Sequence, residues 1–258
     1  MNEPQAHMSV RRLTMAYGDN VIQHDLSFDV RRGDILVIMG PSGCGKSTLL
    51  RHMVGLMKPA AGEIFYDGKN IWNVSAEERA WIKRRMGVSY QGGALWSSMT
   101  LAENIAVPLE AYTHLSRQEI AEMASLKLAL VGLDGFDDYY PSEISGGMAK
   151  RAGIARAIAL DPDILFFDEP SAGLDPVSAK RLDDLILELR DSLGATIVVV
   201  THELASIFAI ASNSIYLDAV SRTLIAQGSP KELLEHNRNL RVQEFLRRGE
   251  IGEKEKSI

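Results

Sequence analysis

Short apolar runs recur along the chain, and each is followed by a polar residue or a glycine. They occupy residues 35–39, 86–90, 164–167 and 196–200. Continuous apolar runs of this length are typical of strands that are buried on both faces, as in a parallel sheet. The pattern therefore predicts a parallel sheet at the centre of the fold.

Longer segments between these runs have helical periodicity. The clearest begins at Asp175 and Pro176, a good N-cap followed by proline at the first helical position, and ends at Gly194. Its apolar positions fall on one helical face and are Leu182, Leu185, Ile186 and Leu189. Strands that alternate with helices predict a doubly wound α/β fold with a mainly parallel sheet.

Two regions depart from this alternation. Residues 10–16 and 21–30, separated by the turn-like residues 18–20, predict an N-terminal antiparallel β edge. Residues 92–145 carry several helical stretches, such as 116–133, and no strong strand signal, which predicts a helical lobe inserted into the core. The last segment, residues 249–258, is charged, and we expect it to be disordered.

Charge and composition exclude several classes of function. The formal net charge of −6 argues against a broad nucleic-acid-binding face, and we expect no nucleic acid partner. Cys44 is the only cysteine, which fits a reducing cytoplasm. Residues 1–8 lack the apolar core of a signal peptide, and no run of 18 apolar residues occurs. If the protein acts at a membrane, another chain must supply the membrane-spanning part.

Residues 40–48, which we call the phosphate loop, match the pattern G-x-x-x-x-G-K-[ST] between a predicted strand (34–39) and a predicted helix (47–57). Glycines let backbone N–H groups converge on phosphate oxygens, and the helix N-terminus favours anions. Lys46 is expected to pair with the β- and γ-phosphates and Ser47 to ligate Mg²⁺. An ordinary glycine-rich turn is the alternative. The expected nucleotide contacts are Gly40, Pro41, Ser42, Gly43, Cys44, Gly45, Lys46, Ser47 and Thr48.

Adjacent carboxylates follow the apolar run 164–167. Asp168 and Glu169 are expected at the carboxyl edge of the sheet, where open α/β sheets bind ligands. Two neighbouring carboxylates are costly without a cation, so Asp168 is expected to hold Mg²⁺, through water, and Glu169 to orient or deprotonate the attacking water. Taken alone, Asp-Glu-Pro would be a solvated turn.

Two further polar residues follow predicted strands. His202 could hydrogen-bond the γ-phosphate, and Gln91 could reach Mg²⁺ or the water. In isolation each would be an ordinary loop residue. The predicted catalytic residues are Glu169, His202, Lys46 and Gln91, and the predicted metal contacts are Ser47, Gln91 and Asp168.

The order of these motifs resembles the ATPase domain of ABC transporters over residues 8–230. The resemblance rests on the phosphate loop, Gln91, residues 144–148 (Ile-Ser-Gly-Gly-Met), residues 164–169, residues 171–175 and His202. It implies the ABC ATPase fold with a helical lobe inserted at about residues 92–160, and a C-terminal extension at 231–258. Met148 departs from the glutamine of the family's Leu-Ser-Gly-Gly-Gln signature, while Ser145, Gly146 and Gly147 are intact.

The resemblance also implies a mechanism. ATP and Mg²⁺ would be bound at a head-to-tail homodimer interface, with Ser145, Gly146 and Gly147 serving the nucleotide of the opposite subunit. Tyr17 matches the aromatic residue that stacks on adenine, and Asp175 matches the loop that couples the two sites. Hydrolysis would drive transmembrane permease partners.

Three finer segments are similar to the ATPase subunits of MCE-type, Mla-like phospholipid transporters. They are residues 91–96, residues 140–151, including Met148, and residues 241–246. This similarity implies phospholipid transport between the inner and outer membranes, a peripheral location on the cytoplasmic face of the inner membrane, an MCE-domain lipid-binding partner and a STAS-domain regulator.

Other functions stay open at this point. The cargo could instead be an amino acid or a peptide. The chain could also be a soluble ABC ATPase of DNA repair or translation, although it has neither a long coiled coil nor a second ATPase domain. A regulatory, non-hydrolysing nucleotide binder is disfavoured by Lys46, Glu169 and His202.

Overall fold

A mainly parallel sheet lies at the centre of the computed structural model, which describes residues 6–254. Strands β3, β6, β7, β8 and β9 are parallel, and β10 pairs antiparallel with β9 at one edge, in the order β10-β9-β3-β8-β7-β6. Their bounds are Ile35–Met39, Met86–Ser89, Ile164–Asp168, Thr196–Val200, Asn213–Leu217 and Leu224–Gly228 for β3, β6, β7, β8, β9 and β10. The predicted parallel sheet is confirmed.

A second, antiparallel sheet is built from the N-terminal strands, in the order β2-β1-β4-β5. Strand β1 spans Ala6–Tyr17, β2 spans Asn20–Arg31, β4 spans Ala61–Tyr66 and β5 spans Lys69–Asn70. The predicted antiparallel edge is thus a separate sheet that packs over the central one. Its first two strands reverse direction at residues 18–19, where Gly18 has a positive φ of 56°.

Alternate residues of the central strands face two separate hydrophobic cores. Ile35, Val37 and Met39 of β3 belong to the core on the side of the helical lobe. Leu36 and Ile38 of the same strand belong to the core shared with the antiparallel sheet. Burial on both faces explains why these strands appear in the sequence as unbroken apolar runs.

Helices surround the central sheet and form the predicted lobe. Their bounds are Lys46–Met53, Ala76–Arg84, Leu101–Tyr112, Arg117–Leu130, Gly146–Ala157, Pro176–Leu193, Leu204–Ile210, Pro230–His236 and Leu240–Lys254 for α1 to α9 in order. Helices α3, α4 and α5 pack together as the lobe. None of the helices within residues 6–254 is long and apolar enough to cross a membrane.

Capping chemistry sets several of these helix ends. Thr100 and Ser116 each open a helix with a capping box, using Glu103 and Glu119. The predicted helix from Asp175 to Gly194 is confirmed as α6. It begins after Asp175 because the Asp175 carboxylate accepts hydrogen bonds from the N–H groups of Val177 and Ser178.

Some element boundaries differ from the sequence predictions. Helix α1 ends at Met53 instead of residue 57, because the chain turns at Gly55, which has a φ of 68°. The C-terminal extension contains two helices, α8 and α9, separated at residues 237–239. Of the ten last residues expected to be disordered, 249–254 continue the backbone of α9, and 255–258 lie outside the described residues.

Candidate nucleotide-binding site

The phosphate loop connects the end of β3 to the start of α1 at the carboxyl edge of the central sheet. A side chain at Gly40 is sterically excluded, because a Cβ there would lie 2.4 Å from the carbonyl oxygen of Leu217 at the end of β9. Gly45 has a φ of 101°, and a Cβ there would lie 2.7 Å from Ile22 of β2. The loop is therefore confined between β9 and the antiparallel sheet, which explains the need for glycine at both positions.

Lys46 is buried within the loop. Its Nζ donates hydrogen bonds to the carbonyl oxygens of Gly40, at 3.0 Å, and Pro41, at 3.1 Å. An ammonium group has three donors and no acceptor, so it is suited to a polyanion. The structure places it at the N-terminus of α1, where backbone N–H groups also favour anions.

The Ser47 hydroxyl and the Asp168 carboxylate are in direct contact. Ser47 Oγ donates to Asp168 Oδ1 at 2.8 Å. Burial raises the pKa of the Asp168 carboxyl, and the hydrogen bond from Ser47 opposes the rise. A divalent cation would favour the charged form, and hydroxyl and carboxylate oxygens are the ligands that Mg²⁺ prefers.

The rest of a metal's coordination would have to come from elsewhere. Within residues 6–254, no three His, Cys, Asp or Glu side chains converge as a metal-binding cluster. Mg²⁺ usually keeps several waters and is completed by substrate phosphates, so a site of one hydroxyl and one carboxylate fits a metal that arrives with a nucleotide.

Glu169 and His202 form a second pair beside the first. His202 Nδ1 lies 2.8 Å from Glu169 Oε1, and the Glu169 side chain is 13% exposed whereas that of His202 is 51% exposed. The second carboxylate oxygen of Glu169, Oε2, is buried without a hydrogen-bond partner among the described residues. His202 thus fixes the orientation of the Glu169 carboxylate through Oε1.

Of these groups, Lys46, Ser47, Glu169 and His202 line one cavity of about 390 Å³. Gln91, which is exposed after β6, also lines it, and its contact with Mg²⁺ or the water stays a prediction. The sequence did not single out Ile22, which also faces it from β2. The lining residues are Ile22, Ser42, Gly43, Gly45, Lys46, Ser47, Thr48, Gln91, Glu169 and His202.

Tyr17 lies outside this lining. It ends β1, is 49% exposed, and its hydroxyl donates to the sulfur of Met57 at 3.7 Å. The exposed ring is free to contact a flat ligand group, but its predicted role in adenine stacking stays a prediction.

The residues around Ser145 form a separate site. Ser145 caps α5, since its Oγ accepts a hydrogen bond from Met148 N at 3.2 Å. Ser145, Gly147 and Met148 line a hollow of about 250 Å³ with Leu174 and Ser178 and other residues, whereas Gly146 is exposed at the helix start. In the described part of one chain, this hollow and the phosphate loop do not share a cavity.

Lys150 was not predicted as part of the site. It is buried on α5, and its ammonium donates to the carbonyl oxygen of Ala172, in the loop between Glu169 and Asp175. Burial lowers its pKa, and attraction to Glu203 and Glu169 opposes that shift. The helix that Ser145 caps is therefore tied to the loop of the carboxylates.

Comparisons with known proteins agree with this geometry. The family model described as ABC transporter matches residues 23–172. The chain is 42% identical over 240 residues to the intermembrane phospholipid transport system ATP-binding protein MlaF of Haemophilus influenzae, covering 93% of this chain and 90% of the relative. It is 40% identical over 245 residues to the probable ribonucleotide transport ATP-binding protein mkl of Mycobacterium leprae, covering 95% of this chain and 70% of the relative.

Solved structures show the same architecture. The dimeric, post-hydrolysis ATP-binding cassette MJ0796 bound to ADP and Pi has a TM-score of 0.78 and 29% identity, covering 86% of this chain and 98% of the other. The protein cbiO1 of Clostridium perfringens, part of the transporter complex cbiONQ, has a TM-score of 0.81 and 27% identity, covering 97% and 99%.

Proposed function

This chain belongs to the ABC transporter family, and from that premise we propose that its ATPase activity drives phospholipid transport through membrane-spanning partners. One observation carries the ATPase part of the proposal. One cavity at the carboxyl edge of the sheet is lined by Lys46, Ser47 and the Glu169–His202 pair, and Asp168 contacts Ser47 behind it. This arrangement can bind a triphosphate and position a water molecule against it.

Each side chain has a task in the proposed hydrolysis. Lys46 and the N–H groups of the phosphate loop bind the β- and γ-phosphates, exchanging the loop carbonyls for phosphate oxygens. Glu169, which lines the cavity, orients or deprotonates the attacking water. His202 orients Glu169 through Oε1 and reaches the γ-phosphate. Mg²⁺ would be held by Ser47, by Asp168 through water and by Gln91, and it would supply positive charge against the phosphates.

Two copies complete the proposed site. Ser145, Gly146 and Gly147 lie apart from the phosphate loop of their own chain, so in a head-to-tail homodimer they would cover the nucleotide of the other copy. The dimeric cassette MJ0796, which resembles this chain, supports that arrangement. Asp175 caps α6 beside the hollow at Ser145 and would lie at the same interface.

A cleft of about 490 Å³ between α2, α3, α5 and β6 is the proposed contact with the membrane-spanning partners. We call it the lobe cleft. Its rim carries the exposed aromatic rings of Trp96 and Tyr112, and its walls carry the cations of Lys83, Arg84 and Arg156. Arg156 also donates to the carbonyl oxygen of Gly93, so the cleft is linked directly to the loop that begins at Gln91.

The cargo is the part of the proposal that rests on relatives. Relatives at 42% and 41% identity, from Haemophilus influenzae and Escherichia coli, are named as phospholipid transport subunits. A mycobacterial relative at 40% is named for ribonucleotide transport. The first group supports phospholipid as the cargo. The proposed MCE-domain and STAS-domain partners and the location on the cytoplasmic face of the inner membrane rest on the sequence similarity to Mla-like systems.

The test is to recover the complex with its cargo. A tagged Glu169→Gln variant would be extracted from native membranes in mild detergent with ATP and Mg²⁺, beside the tagged wild type and a Lys46→Ala variant as the control. A multi-span permease, an MCE-domain protein and bound phospholipid, enriched over the control, are the expected result. A nucleoside phosphate, amino acid or peptide in place of lipid would overturn the cargo. Absence of any membrane protein would overturn the transporter assignment.

A further inference from the structure

A buried amide group joins the phosphate loop to two distant parts of the fold. Gln23, in β2, is fully buried. Its Nε2 donates to the carbonyl oxygen of Cys44 in the phosphate loop, at 2.7 Å, and to that of Asp218 after β9, at 3.0 Å. Both N–H bonds of the amide are therefore used, and each ends on a backbone carbonyl oxygen.

The Asp218 end of this bridge is itself fixed. The Asp218 carboxylate accepts hydrogen bonds from the N–H and hydroxyl groups of Ser221, both at 2.7 Å, and from Arg241 of α9, at 2.6 Å. The neighbouring backbone is also joined to β2, because His24 N donates to the carbonyl oxygen of Arg222 at 2.9 Å. Gln23 thus holds the loop against a rigid support.

Close packing on both sides of the phosphate loop restricts where the loop can lie. Gly40 contacts the backbone of Leu217, and Gly45 contacts Ile22, with the Gln23 side chain 3.6 Å from the position that a Cβ of Gly45 would occupy. The loop therefore has little freedom on either side. The hydrogen bonds of Gln23 fix the position of the phosphate loop between the two sheets.

We propose that Gln23 is a positioning residue for nucleotide binding: its amide fixes the phosphate loop, through Cys44, against the end of β9. The proposal rests on the proposed function, because it assigns the loop to ATP phosphates. Its consequence is preorganisation. The backbone N–H groups of the loop are held in place before the nucleotide arrives, so less of the binding energy is spent on ordering them.

The variant that tests this is Gln23→Met, which keeps the length and volume of the side chain and removes both N–H donors. Two buried carbonyl oxygens would lose their partner, which is expected to raise the KM and Kd for ATP about tenfold. The kcat is expected to stay within about threefold, because Glu169 and His202 do not contact Gln23. Gln23→Asn, which keeps the amide but is too short to reach both carbonyls, is expected to change KM in the same direction.

The matched control is Gln243→Met in α9. The Gln243 amide also donates to backbone carbonyls, those of Leu233, Leu234 and Asn237, but lies away from the phosphate loop. It is expected to lower the melting temperature without changing the KM for ATP. An equal rise of KM in Gln243→Met would show a general loss of stability and would overturn the proposal.

Cys44 gives a readout that needs no nucleotide. It is the only cysteine in the chain, is buried, and is the residue whose carbonyl Gln23 holds. Modification of its thiol by a disulfide reagent, without nucleotide, is expected to be at least about tenfold faster in Gln23→Met than in wild type or Gln243→Met, in proportion to the more frequent opening of the loop. Wild-type modification rate and wild-type KM in Gln23→Met would overturn the proposal.

The two assays separate this proposal from the proposed function. Faster thiol modification in Gln23→Met would support the loop bridge even if ATP failed to protect Cys44 in the wild type. Failure of ATP to protect the wild-type thiol would count against the nucleotide assignment alone.

Discussion

At the scale of single residues, Glu169 combines an unfavourable backbone with a fixed side chain. Its φ of 50° lies in the left-handed region, which costs an L-residue about 1–2 kcal/mol. The residue is held there by a hydrogen bond from its N–H to the carbonyl oxygen of Val200, at 2.8 Å, and by His202. This conformation separates two adjacent carboxylates, so that Asp168 meets Ser47 while Glu169 faces the cavity.

Glu169→Gln is expected to lower kcat by about 10²–10⁴-fold, because the amide cannot accept a proton from water. ATP affinity is expected to change less than about threefold, since the phosphate contacts are unaltered. Single-turnover ATP hydrolysis and binding of a fluorescent ATP analogue would measure both, with Glu188→Gln, an exposed position on α6, as the control. Near-normal turnover would exclude Glu169 as the principal catalytic carboxylate.

The residues of the phosphate loop and the carboxylate pair could be predicted because their chemistry fixes residue types at fixed spacing. Gln23 could not be predicted in this way. Its contact with Asp218 spans 195 positions and ends on a backbone carbonyl, which leaves no trace in the residue types. Glu169 and His202 were each predicted as site residues, but their contact with each other was not. That contact depends on β7 and β8 being neighbours in the sheet.

At the scale of elements, α5 packs closely on the loop that follows Gln91. A Cβ at Gly153 would lie 2.6 Å from the Cα of Gly93 and 2.8 Å from its carbonyl oxygen. A Cβ at Gly93 would in turn meet the carbonyl oxygen of Ala149 at 2.5 Å. The backbone of α5, the helix that Ser145 caps, is therefore in direct contact with the backbone of the loop that follows Gln91, with no side chain between them.

Gly153→Ala is expected to destabilise the protein by about 1–3 kcal/mol, because the added methyl group overlaps the backbone of Gly93. In an ordinary helix interior the same change would stabilise by about 1 kcal/mol, so the sign of the effect is diagnostic. Differential scanning calorimetry would measure it, and ATPase activity is expected to fall as Gln91 is displaced. A higher melting temperature would contradict this packing.

Asp183 on α6 makes stability depend on pH. Burial raises its pKa to about 6, although Ser206 on α7 donates a hydrogen bond to it. Because the folded state holds this proton more tightly than the unfolded state, its contribution to stability is complete below about pH 4 and is lost as pH rises to about 6. The loss is roughly 3 kcal/mol.

Asp183→Asn is therefore expected to raise the free energy of unfolding above pH 6 and to leave it nearly unchanged near pH 4. Urea unfolding at several pH values would measure the difference, with the exposed neighbour Asp184→Asn as the control. A difference between Asp183→Asn and wild type that does not vary with pH would show that the carboxyl keeps its ordinary pKa.

Element positions were predictable where periodicity and caps agreed, as for α6. Strands β9 and β10 were not predicted. Strand β9 begins with Asn213 and Ser214, so its apolar run is too short to stand out. The break between α8 and α9 falls at Asn237, Arg238 and Asn239, where Asn side chains hydrogen-bond the backbone and compete with the helix.

At the scale of the whole molecule, the nucleotide cavity and the lobe cleft are linked by one short segment. Residues 91–96 run from Gln91, which lines the cavity at the phosphate loop, to Trp96, which lines the lobe cleft. Arg156 of α5 contacts both Gly93 and the ring of Trp96, which lies 5.2 Å from the guanidinium. A partner in the cleft would therefore press on the segment that carries Gln91.

Tyr112→Ala, introduced into the Glu169→Gln variant, is expected to reduce recovery of the membrane-spanning partner at least about tenfold, because an exposed aromatic ring is lost from the cleft. ATP affinity is expected to stay unchanged, since Tyr112 lies on α3, away from the nucleotide cavity. Quantitative mass spectrometry of the purified complex would measure recovery. Tyr139→Ala, another exposed tyrosine outside the cleft, is the control, and an equal loss there would exclude a specific role for the cleft.

The alternation of each central strand between two cores has a consequence for how the protein unfolds. Val37 and Leu36 are neighbours on one strand, yet they pack in different cores. Val37 packs in the core on the side of the helical lobe, and Leu36 packs in the core shared with the antiparallel sheet. Neither layer can lose its packing while the strand keeps its place in the other. The loops at the ends of these strands are consequently supported by both layers together, and we expect the two layers to lose their packing in one step.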